Sequence, residues 1–364
     1  MYLLRFLLLS FVIGQSVVLA AQSPVDLRAK VDSIAEAAMV KHQLVGLSIG
    51  VVVKGEGYSY AYGVKDIRSG QAVTPSSVFH TASISKVFTA MGILQLVDAG
   101  RLSLDTKLTE VLSYLKYSDP GINEITVQHL LQHTSGLPDV NNYRWGRNVD
   151  GPDALRNSLT AKKLKLKFDP GSGKLYSNLG YNLLGLIIEE TTGDYFADYL
   201  RINLLRRYGM QDADFHYPNI KSETTVRPHS KHWLTRKPHP RKTYPYNPDH
   251  APSSTLNASS EDLVAWMLRF LSEEEDVLSS ATKATMMGID ETTSVSGSFG
   301  FQKYPHEVRA LVGHYGGDKG FRSFLLIDPQ RDVGIVVLTN GDWGEDFRQE
   351  VGYGALRIIE DLTL

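Results

Sequence analysis

The N-terminal part of the chain changes from a helical to a strand-like pattern of apolar residues. Apolar positions recur every three or four residues in 25–42, which predicts an amphipathic helix. Residues 45–53 are almost continuously apolar, as in a buried strand, and a Gly-Glu-Gly turn at 55–57 leads into a strand-like run at 58–62. We therefore predict a helix followed by a β-hairpin. The helical positions are Leu27, Val31, Ile34 and Ala38.

The C-terminal part of the chain contains a second group of strand-like runs. Residues 323–328 and 333–339 are rich in apolar residues and are separated by a Pro-Gln-Arg-Asp turn. Residues 350–362 read as a final helix. Between about 75 and 270 the pattern is mostly helical and is interrupted by glycine and proline.

This order of elements predicts the fold class α/β plus all-α. Both termini build one antiparallel sheet flanked by helices, and a helical lobe is inserted between them. We expect one domain over 21–364, with a sheet region at about 21–75 and 285–364 and a helical region at about 76–284. The boundary between the two regions is the natural place for a substrate cleft.

Residues 1 to about 20 have the pattern of an export signal. Arg5 precedes the apolar run 6–13, and the chain then reaches Val18, Leu19 and Ala20. We predict a signal peptide at 1–20 and a bacterial periplasmic or secreted protein. A retained membrane anchor is the alternative, although the apolar run is short for a stable span. No later segment is long and apolar enough to cross a bilayer. The lack of cysteine excludes disulfides and fits this compartment.

The composition limits which classes of partner the protein is expected to bind. The 364 residues include 38 basic and 40 acidic side chains, so no overall field attracts nucleic acid or an anionic membrane. The hydrophobic content of 42% is enough for a large core. We expect a monomer that acts on a small-molecule or peptide substrate without a cofactor.

The most informative pattern is a serine three residues before a lysine at a predicted helix start. Positions i and i+3 share a helix face, so Ser83 and Lys86 can touch while Ser85 points elsewhere. A serine needs a base, and a lysine serves as one only if burial or nearby positive charge lowers its pKa. The alternative is a capping serine with a solvated lysine. An apolar face favours burial; it consists of Ile84, Val87, Phe88, Met91 and Leu94.

Two more segments strengthen this pattern. Tyr176 and Asn178 lie two residues apart ahead of a helical apolar run, and the sequence His-Tyr-Gly-Gly at 314–317 precedes the penultimate strand. The motifs S-I-S-K, Y-S-N and H-Y-G occur in this order. In these motifs the chain resembles the serine β-lactamase and penicillin-binding protein family, in its class C-like branch, whose motifs are S-x-x-K, Y-x-N and K/H-T/S-G. The resemblance covers nearly all of the mature chain.

The resemblance implies a β-lactamase/DD-peptidase-like fold and an exported serine hydrolase. Ser83 would become acylated, and Lys86 and Tyr176 would share proton transfer; which of the two is the base stays open at this point. Asn178 would orient the substrate and Lys86. The backbone N–H groups of Ser83 and Gly317 would bind the oxyanion. Taken singly, Tyr176 reads as a buried core residue and Asn178 as a turn residue.

The third motif, His314, Tyr315 and Gly316, would contact the substrate, yet it departs from the family pattern. Relatives that recognise penicillin usually have Thr or Ser where this chain has Tyr315. His314 in place of lysine also weakens positive charge at neutral pH. Arg322 is a nearby alternative source of charge. The expected substrate is therefore a peptide, a D-amino-acid amide or an ester; the alternatives are β-lactam hydrolysis or a sensor that binds penicillin or cell-wall fragments without turnover.

Two rival motifs fail in context. Gly-Leu-Ser-Ile-Gly at 46–50 matches the nucleophile elbow of α/β-hydrolases, but the apolar run continues past Ser48, which predicts a strand interior and not a strand-to-helix turn. The basic, histidine-containing segment 227–242 lacks compact acidic or cysteine ligands, so we predict an irregular solvated loop and no metal site.

Overall fold

The computed structural model describes residues 25–363 except 116, 118, 147–152, 161–163, 274–276, 290–297, 344 and 345. The predicted signal peptide at 1–20 lies outside the described residues. Among the described helices, none combines the length and hydropathy that a bilayer span requires.

Six strands form one antiparallel sheet, in the order β2-β1-β10-β9-β8-β7. Two pairs of short strands, β3 with β6 and β4 with β5, stand apart from it. The strands are β1 Gly46–Val53, β2 Glu56–Gly63, β3 Phe79–His80, β4 His229–Lys231, β5 Pro238–Pro240, β6 Asn257–Ala258, β7 Gln302–Tyr304, β8 Leu311–Asp318, β9 Phe321–Asp328 and β10 Val333–Thr339.

The helices lie mainly between the two groups of sheet strands. They are α1 Val25–His42, α2 Ser85–Asp98, α3 Leu108–Val111, α4 Val127–Leu131, α5 Ala154–Thr160, α6 Asn178–Thr192, α7 Phe196–Leu200, α8 Ala251–Ser254, α9 Ser260–Leu271, α10 Ser280–Met287 and α11 Asp346–Thr363.

The predicted fold class is confirmed: a sheet built from both ends of the chain, with helices inserted between. The two ends meet where β1 pairs with β10, in a register that places Ile49 opposite Val337. Helix α1 has the predicted bounds, while α11 starts four residues earlier than predicted, at Asp346.

Apolar side chains pack on both faces of the sheet. One face packs with α1 and α11, and Leu47, Ile49 and Val337 belong to this cluster. The other face joins the larger cluster of the inserted helices, to which Val336 and Leu338 belong. Because β10 alternates between the two clusters, both of its faces are buried, which explains its unbroken apolar sequence.

One local prediction was incomplete and another was wrong. The third motif precedes the penultimate strand, β9, as predicted, but residues 314–317 also lie inside a further strand, β8, which the sequence did not reveal because its glycines break the apolar alternation. The basic segment is not an irregular loop, because β4 and β5 pair within it as a short hairpin.

Candidate active site

Ser83 lies in a short 3-10 turn, Ala82–Ile84, directly ahead of α2. Ala82 has a φ of +50°, which residues with a Cβ seldom adopt, so the turn is strained. Ser85 holds the turn: its Oγ donates to the Ala82 carbonyl at 2.6 Å and accepts from the Leu256 amide at 2.9 Å. The turn leaves Ser83 half-buried while its immediate neighbours are buried.

Strand β8 packs closely against this turn, and Gly316 makes the contact possible. A Cβ on Gly316 would lie 2.3 Å from the Thr81 carbonyl oxygen, so any side chain would push the strand away. The neighbouring strand fixes the turn as well, because Ser323 Oγ donates to the Thr81 carbonyl at 2.7 Å. Gly316 therefore serves as a close-approach glycine in the wall of the site.

Lys86 is fully buried below Ser83. Its Nζ lies 3.2 Å from Ser83 Oγ, 2.6 Å from Asn178 Oδ1 and 2.7 Å from the Ser253 carbonyl oxygen. Burial lowers the pKa of Lys86 to about 7, although the charges of two nearby carboxylates act in the opposite direction. A large fraction of Lys86 is therefore neutral at physiological pH, as a catalytic base must be.

The hydrogen bonds around Ser83 are consistent with one arrangement of protons. Burial raises the pKa of Tyr176 above its ordinary value, so its phenol keeps its proton and donates to Ser83 Oγ at 3.0 Å. A neutral Lys86 donates its two N–H groups to the acceptors Asn178 Oδ1 and Ser253 O. Its lone pair is then left for the hydroxyl proton of Ser83. In this arrangement Lys86 can act as the base and Tyr176 as the proton donor.

Asp139 fixes the amide of Asn178. The Nδ2 of Asn178 lies 3.0 and 3.1 Å from the two carboxylate oxygens of Asp139, and its backbone N–H donates to one of them at 2.8 Å. Because a carboxylate only accepts, the amide oxygen must point the other way, toward Lys86. Asn178 also opens α6, where the hydroxyl of Ser177 caps the helix by accepting from the Gly180 amide at 3.1 Å.

His314 is buried beside Tyr176, with ring centroids 6.3 Å apart. Burial, followed by the charge of Lys86, lowers its pKa to about 3, so its imidazole is neutral. Its Nδ1 lies 2.5 Å from the Tyr315 carbonyl oxygen, to which an Nδ1–H donates. His314 thus borders the site as a buried side chain that adds no positive charge.

Tyr315 corrects a prediction, because its side chain does not face the cleft. Successive residues of β8 point to opposite faces, and Tyr315 lies on the side of α11. Its ring stacks on Phe324 at 4.7 Å, and the Arg348 guanidinium lies 4.5 Å from its centroid. Gly317 follows on the same strand beside Arg322, and its role in binding the oxyanion stays a prediction.

A cavity of about 510 Å³ opens on the side of Tyr176 and His314. It has room for a substrate fragment of moderate size, and its link to the serine is Tyr176, which donates to Ser83 Oγ. Its lining is mixed, with aromatic rings and two lysines at the mouth. The lining residues are Leu131, Gln132, His133, Lys174, Tyr176, Tyr181, Ser298, Gly300, Phe301, Gln302, Lys303 and His314.

Sequence reasoning missed several polar groups of the site. Asp139 directly follows the sequence Gly-Leu-Pro at 136–138, and nothing in that local sequence indicates its contact with Asn178. Nothing in the sequence indicates that the carbonyl of Ser253 binds Lys86. A third group is Asp318, whose Oδ2 lies 2.9 Å from Nε2 of the buried His80.

The rival serine is placed as predicted. Ser48 is fully buried in β1, and the strand continues on both sides of it, so no nucleophile elbow is present there. Its Oγ donates to the Tyr60 carbonyl at 3.2 Å and lies 2.8 Å from Ser260 Oγ.

The chain is similar in sequence to several known proteins. The family model described as Beta-lactamase matches residues 31–357. Protein flp of Staphylococcus aureus strain COL is 29% identical over 323 residues, which are 86% of this chain and 63% of that protein. The chain therefore spans less than two thirds of that relative. Penicillin-binding protein 4 of Amycolatopsis lactamdurans is 30% identical over 327 residues, covering 86% of this chain and 85% of that protein.

The fold also occurs in solved structures. The D-amino acid amidase from Ochrobactrum anthropi SV3, crystallised with L-phenylalanine amide, superposes with a TM-score of 0.78. The match covers 93% of this chain and 100% of the amidase at 22% identity, a level that supports the fold alone.

Proposed function

Because the chain belongs to the beta-lactamase family and is a serine hydrolase, we propose that it cleaves an amide or ester bond through an acyl-enzyme on Ser83. The observation that carries the proposal is the position of the Ser83 hydroxyl between Tyr176 Oη at 3.0 Å and Lys86 Nζ at 3.2 Å. One partner donates a proton and the other can accept one, which is what attack and leaving-group departure require.

In the acylation step, Ser83 Oγ attacks the carbonyl carbon while its proton passes to neutral Lys86. The N–H groups of Ser83 and Gly317 bind the negative oxygen of the tetrahedral intermediate. The leaving group receives its proton through the hydroxyl of Tyr176, which Lys86 re-protonates. Water then attacks the ester of Ser83 by the same route in reverse and releases the acid.

The substrate we propose is a peptide, a D-amino-acid amide or an ester. A neutral His314 and a Tyr315 turned toward the other face of the sheet supply neither a positive charge nor a hydroxyl for a substrate carboxylate. The D-amino acid amidase of the same fold supports amide hydrolysis. The alternatives are a β-lactamase, and a sensor that binds penicillin or cell-wall fragments without turnover.

The proposal includes export and a monomeric mature chain of residues 21–364. The basic residue and apolar run within 1–20 support an export signal and a periplasmic or secreted location. Processing is checked by N-terminal sequencing of the protein recovered from a bacterial periplasm, and the oligomeric state by light scattering. An unprocessed chain that stays with the membrane would contradict this part of the proposal.

The test is labelling with a fluorophosphonate and a fluorescent penicillin, followed by peptide mapping. We expect the label on Ser83, together with multiple turnover of nitrophenyl esters or D-amino acid amides. Label on Ser48 would overturn the site. A burst of one equivalent of product without further turnover would identify a sensor, and rapid hydrolysis of nitrocefin would identify a β-lactamase.

A further inference from the structure

A carboxylate lies next to the proposed oxyanion site. Asp318 follows Gly317 in β8 and points to the same face as His314 and Gly316, since alternate residues of a strand share a face. Its partner His80 lies three residues before Ser83. The Asp318 charge acts to raise the pKa of Lys86, against the larger effect of burial, as expected for a carboxylate near the reacting groups.

His80 contacts the Asp318 carboxylate, and the guanidinium of Arg322 donates to the backbone carbonyl of the same residue at 3.0 Å. The buried His80 directs Nε2 at Asp318 Oδ2 at 2.9 Å, while its Nδ1 has no hydrogen-bond partner among the described residues. Because a carboxylate oxygen only accepts, Nε2 carries the proton in this contact and donates to Asp318. The side chain of Asp318 is 10% exposed.

Aromatic rings form a wall beside this pair. Tyr143 and Trp145 are half-buried and stack on each other at 4.7 Å, and the edge of Trp145 meets His80 at 6.2 Å. The charge of Asp318 contributes to the raised pKa of Tyr143, after burial, which places the two groups near each other. Electron-rich faces beside a carboxylate are the usual surroundings of a bound ammonium group.

The position of this group relative to the reaction suggests which part of the substrate it meets. Tyr176, which protonates the leaving group in the proposed reaction, lines the 510 Å³ cavity together with His314. We therefore assign the leaving group to that cavity. Asp318 lies beyond Gly317, at the end of β8 away from His314 and the cavity, which leaves that side for the acyl group.

We propose that Asp318, with Tyr143 and Trp145, binds a positively charged amino group on the acyl part of the substrate. This inference rests on the proposed function and narrows it to substrates with a free amine close to the scissile carbonyl: amino-acid amides and esters, or peptides cleaved after their N-terminal residue. A substrate with a carboxylate at this position is repelled by Asp318.

The experiment compares D-alanine p-nitroanilide with its N-acetyl derivative, which differ in the charged amine. We expect the wild-type protein to prefer the free amine in kcat/KM by at least about tenfold, and Asp318→Asn to lose most of that preference. The ratio between the two substrates is the readout, because any effect of Asp318 on Lys86 applies to both. Asp332→Asn is the matched control, since this exposed residue in the β9–β10 turn has a φ of +53° that Asn tolerates.

The outcomes separate this inference from the function on which it rests. Two results would overturn the subsite alone. In the first, Ser83 takes the label and the protein turns over both substrates without preferring the free amine. In the second, Asp318→Asn loses activity equally on both substrates. If Ser83 takes no label and neither anilide is cleaved, the proposed function fails. The subsite can then still be tested by calorimetry, with D-alaninamide binding to the Ser83→Ala variant. We expect the additional substitution Asp318→Asn to weaken this binding about tenfold. Equal affinity of the two variants would overturn the subsite.

Discussion

Two serines of this chain lie in sequences typical of nucleophiles, and their surroundings differ in every respect that matters for catalysis. Ser48 is part of a Gly-x-Ser-x-Gly sequence inside β1, where it is fully buried. Among the described residues its hydroxyl contacts only the Tyr60 carbonyl and Ser260 Oγ. Ser83 lies at the tip of a strained turn, half-exposed and in contact with an amine and a phenol.

The difference shows that backbone context, and not the local motif, makes a nucleophile. A strand interior uses the serine hydroxyl to satisfy a neighbouring polar group, and no space is left for a substrate. The turn at Ala82 exposes the hydroxyl, and the start of α2 supplies Lys86 three residues later. The cost of the strained φ at Ala82, on the order of 1 to 3 kcal/mol, is met by the hydrogen bonds that surround the turn.

The largest expected effect comes from removing the hydroxyl of Ser83. We expect Ser83→Ala to lower kcat for a nitrophenyl ester by about 10⁴-fold or more, because the acyl-enzyme cannot form. Ser48→Ala is the matched control and should keep the wild-type rate. Steady-state kinetics with circular dichroism of both variants decides the question. Undiminished turnover in Ser83→Ala would end the proposed mechanism.

Replacing the amine tests what activates Ser83. We expect Lys86→Met to lower kcat/KM by about 10³-fold, since the base is lost while the volume is kept. Lys283→Met is the control: it also removes a buried lysine, whose Nζ donates to the Ser272 carbonyl at 2.9 Å, but lies outside the site. In the wild type, kcat/KM should rise with pH and level off above about 7, where Lys86 is neutral. A flat profile between pH 5 and 9 would contradict Lys86 as the base.

The same lysine makes stability depend on pH. The pKa of Lys86 is about 7 in the folded protein and about 10.5 in the unfolded chain, so the unfolded state binds more protons between these values. Burial of Lys86 therefore lowers the free energy of unfolding by its full amount below pH 7, and this loss disappears above about pH 10.5. The free energy of unfolding of Lys86→Met, taken relative to that of the wild type, should therefore be about 2 to 3 kcal/mol higher at pH 7 than at pH 9. Urea unfolding of both proteins at the two pH values measures this difference. If the two proteins differ in stability by the same amount at both pH values, the pKa of Lys86 is not lowered in the folded protein.

A smaller effect is expected at Asp139, which touches neither Ser83 nor the proposed substrate position. In Asp139→Asn, the new amide no longer forces the orientation of Asn178, and we expect kcat/KM to fall about tenfold. The midpoint of the pH profile should move below that of the wild type, because the Asp139 charge raises the pKa of Lys86. Asp119→Asn, whose carboxylate also accepts from backbone amides, is the control. A lower rate with an unmoved midpoint would indicate a purely structural role.

The sequence was a good guide where one interaction dominates. Helical periodicity marked α1, and the nearly continuous apolar runs of β1 and β10 marked strands buried on both faces. The spacing of Ser83 and Lys86 predicted their contact because three residues make nearly one helical turn. The family motifs then brought in Tyr176 and Asn178 from a distant segment, and both lie at the site.

The groups that the sequence did not reveal depend on tertiary packing. The direction of Tyr315 follows from the register of β8, a strand whose glycines hide its period. The contact of Asp139 with Asn178 joins residues 39 positions apart. Ser253 contributes a backbone carbonyl, which carries no side-chain signature at all. Such contacts are fixed by how segments pack, and no local pattern encodes them.

The smallest expected effect concerns the stability contributed by Ser48. Its single hydroxyl proton is shared between two acceptors, Ser260 Oγ at 2.8 Å and the Tyr60 carbonyl at 3.2 Å, while Ser260 donates its own proton to the Pro75 carbonyl at 3.1 Å. Ser48→Ala leaves Ser260 with that partner, so we expect a loss of only about 1 kcal/mol in the free energy of unfolding. Urea denaturation measures it, with Ser260→Ala as the paired variant. A loss of several kcal/mol, or any change in kcat, would mean that this serine is coupled to the site and that the contrast with Ser83 is less sharp than the geometry indicates.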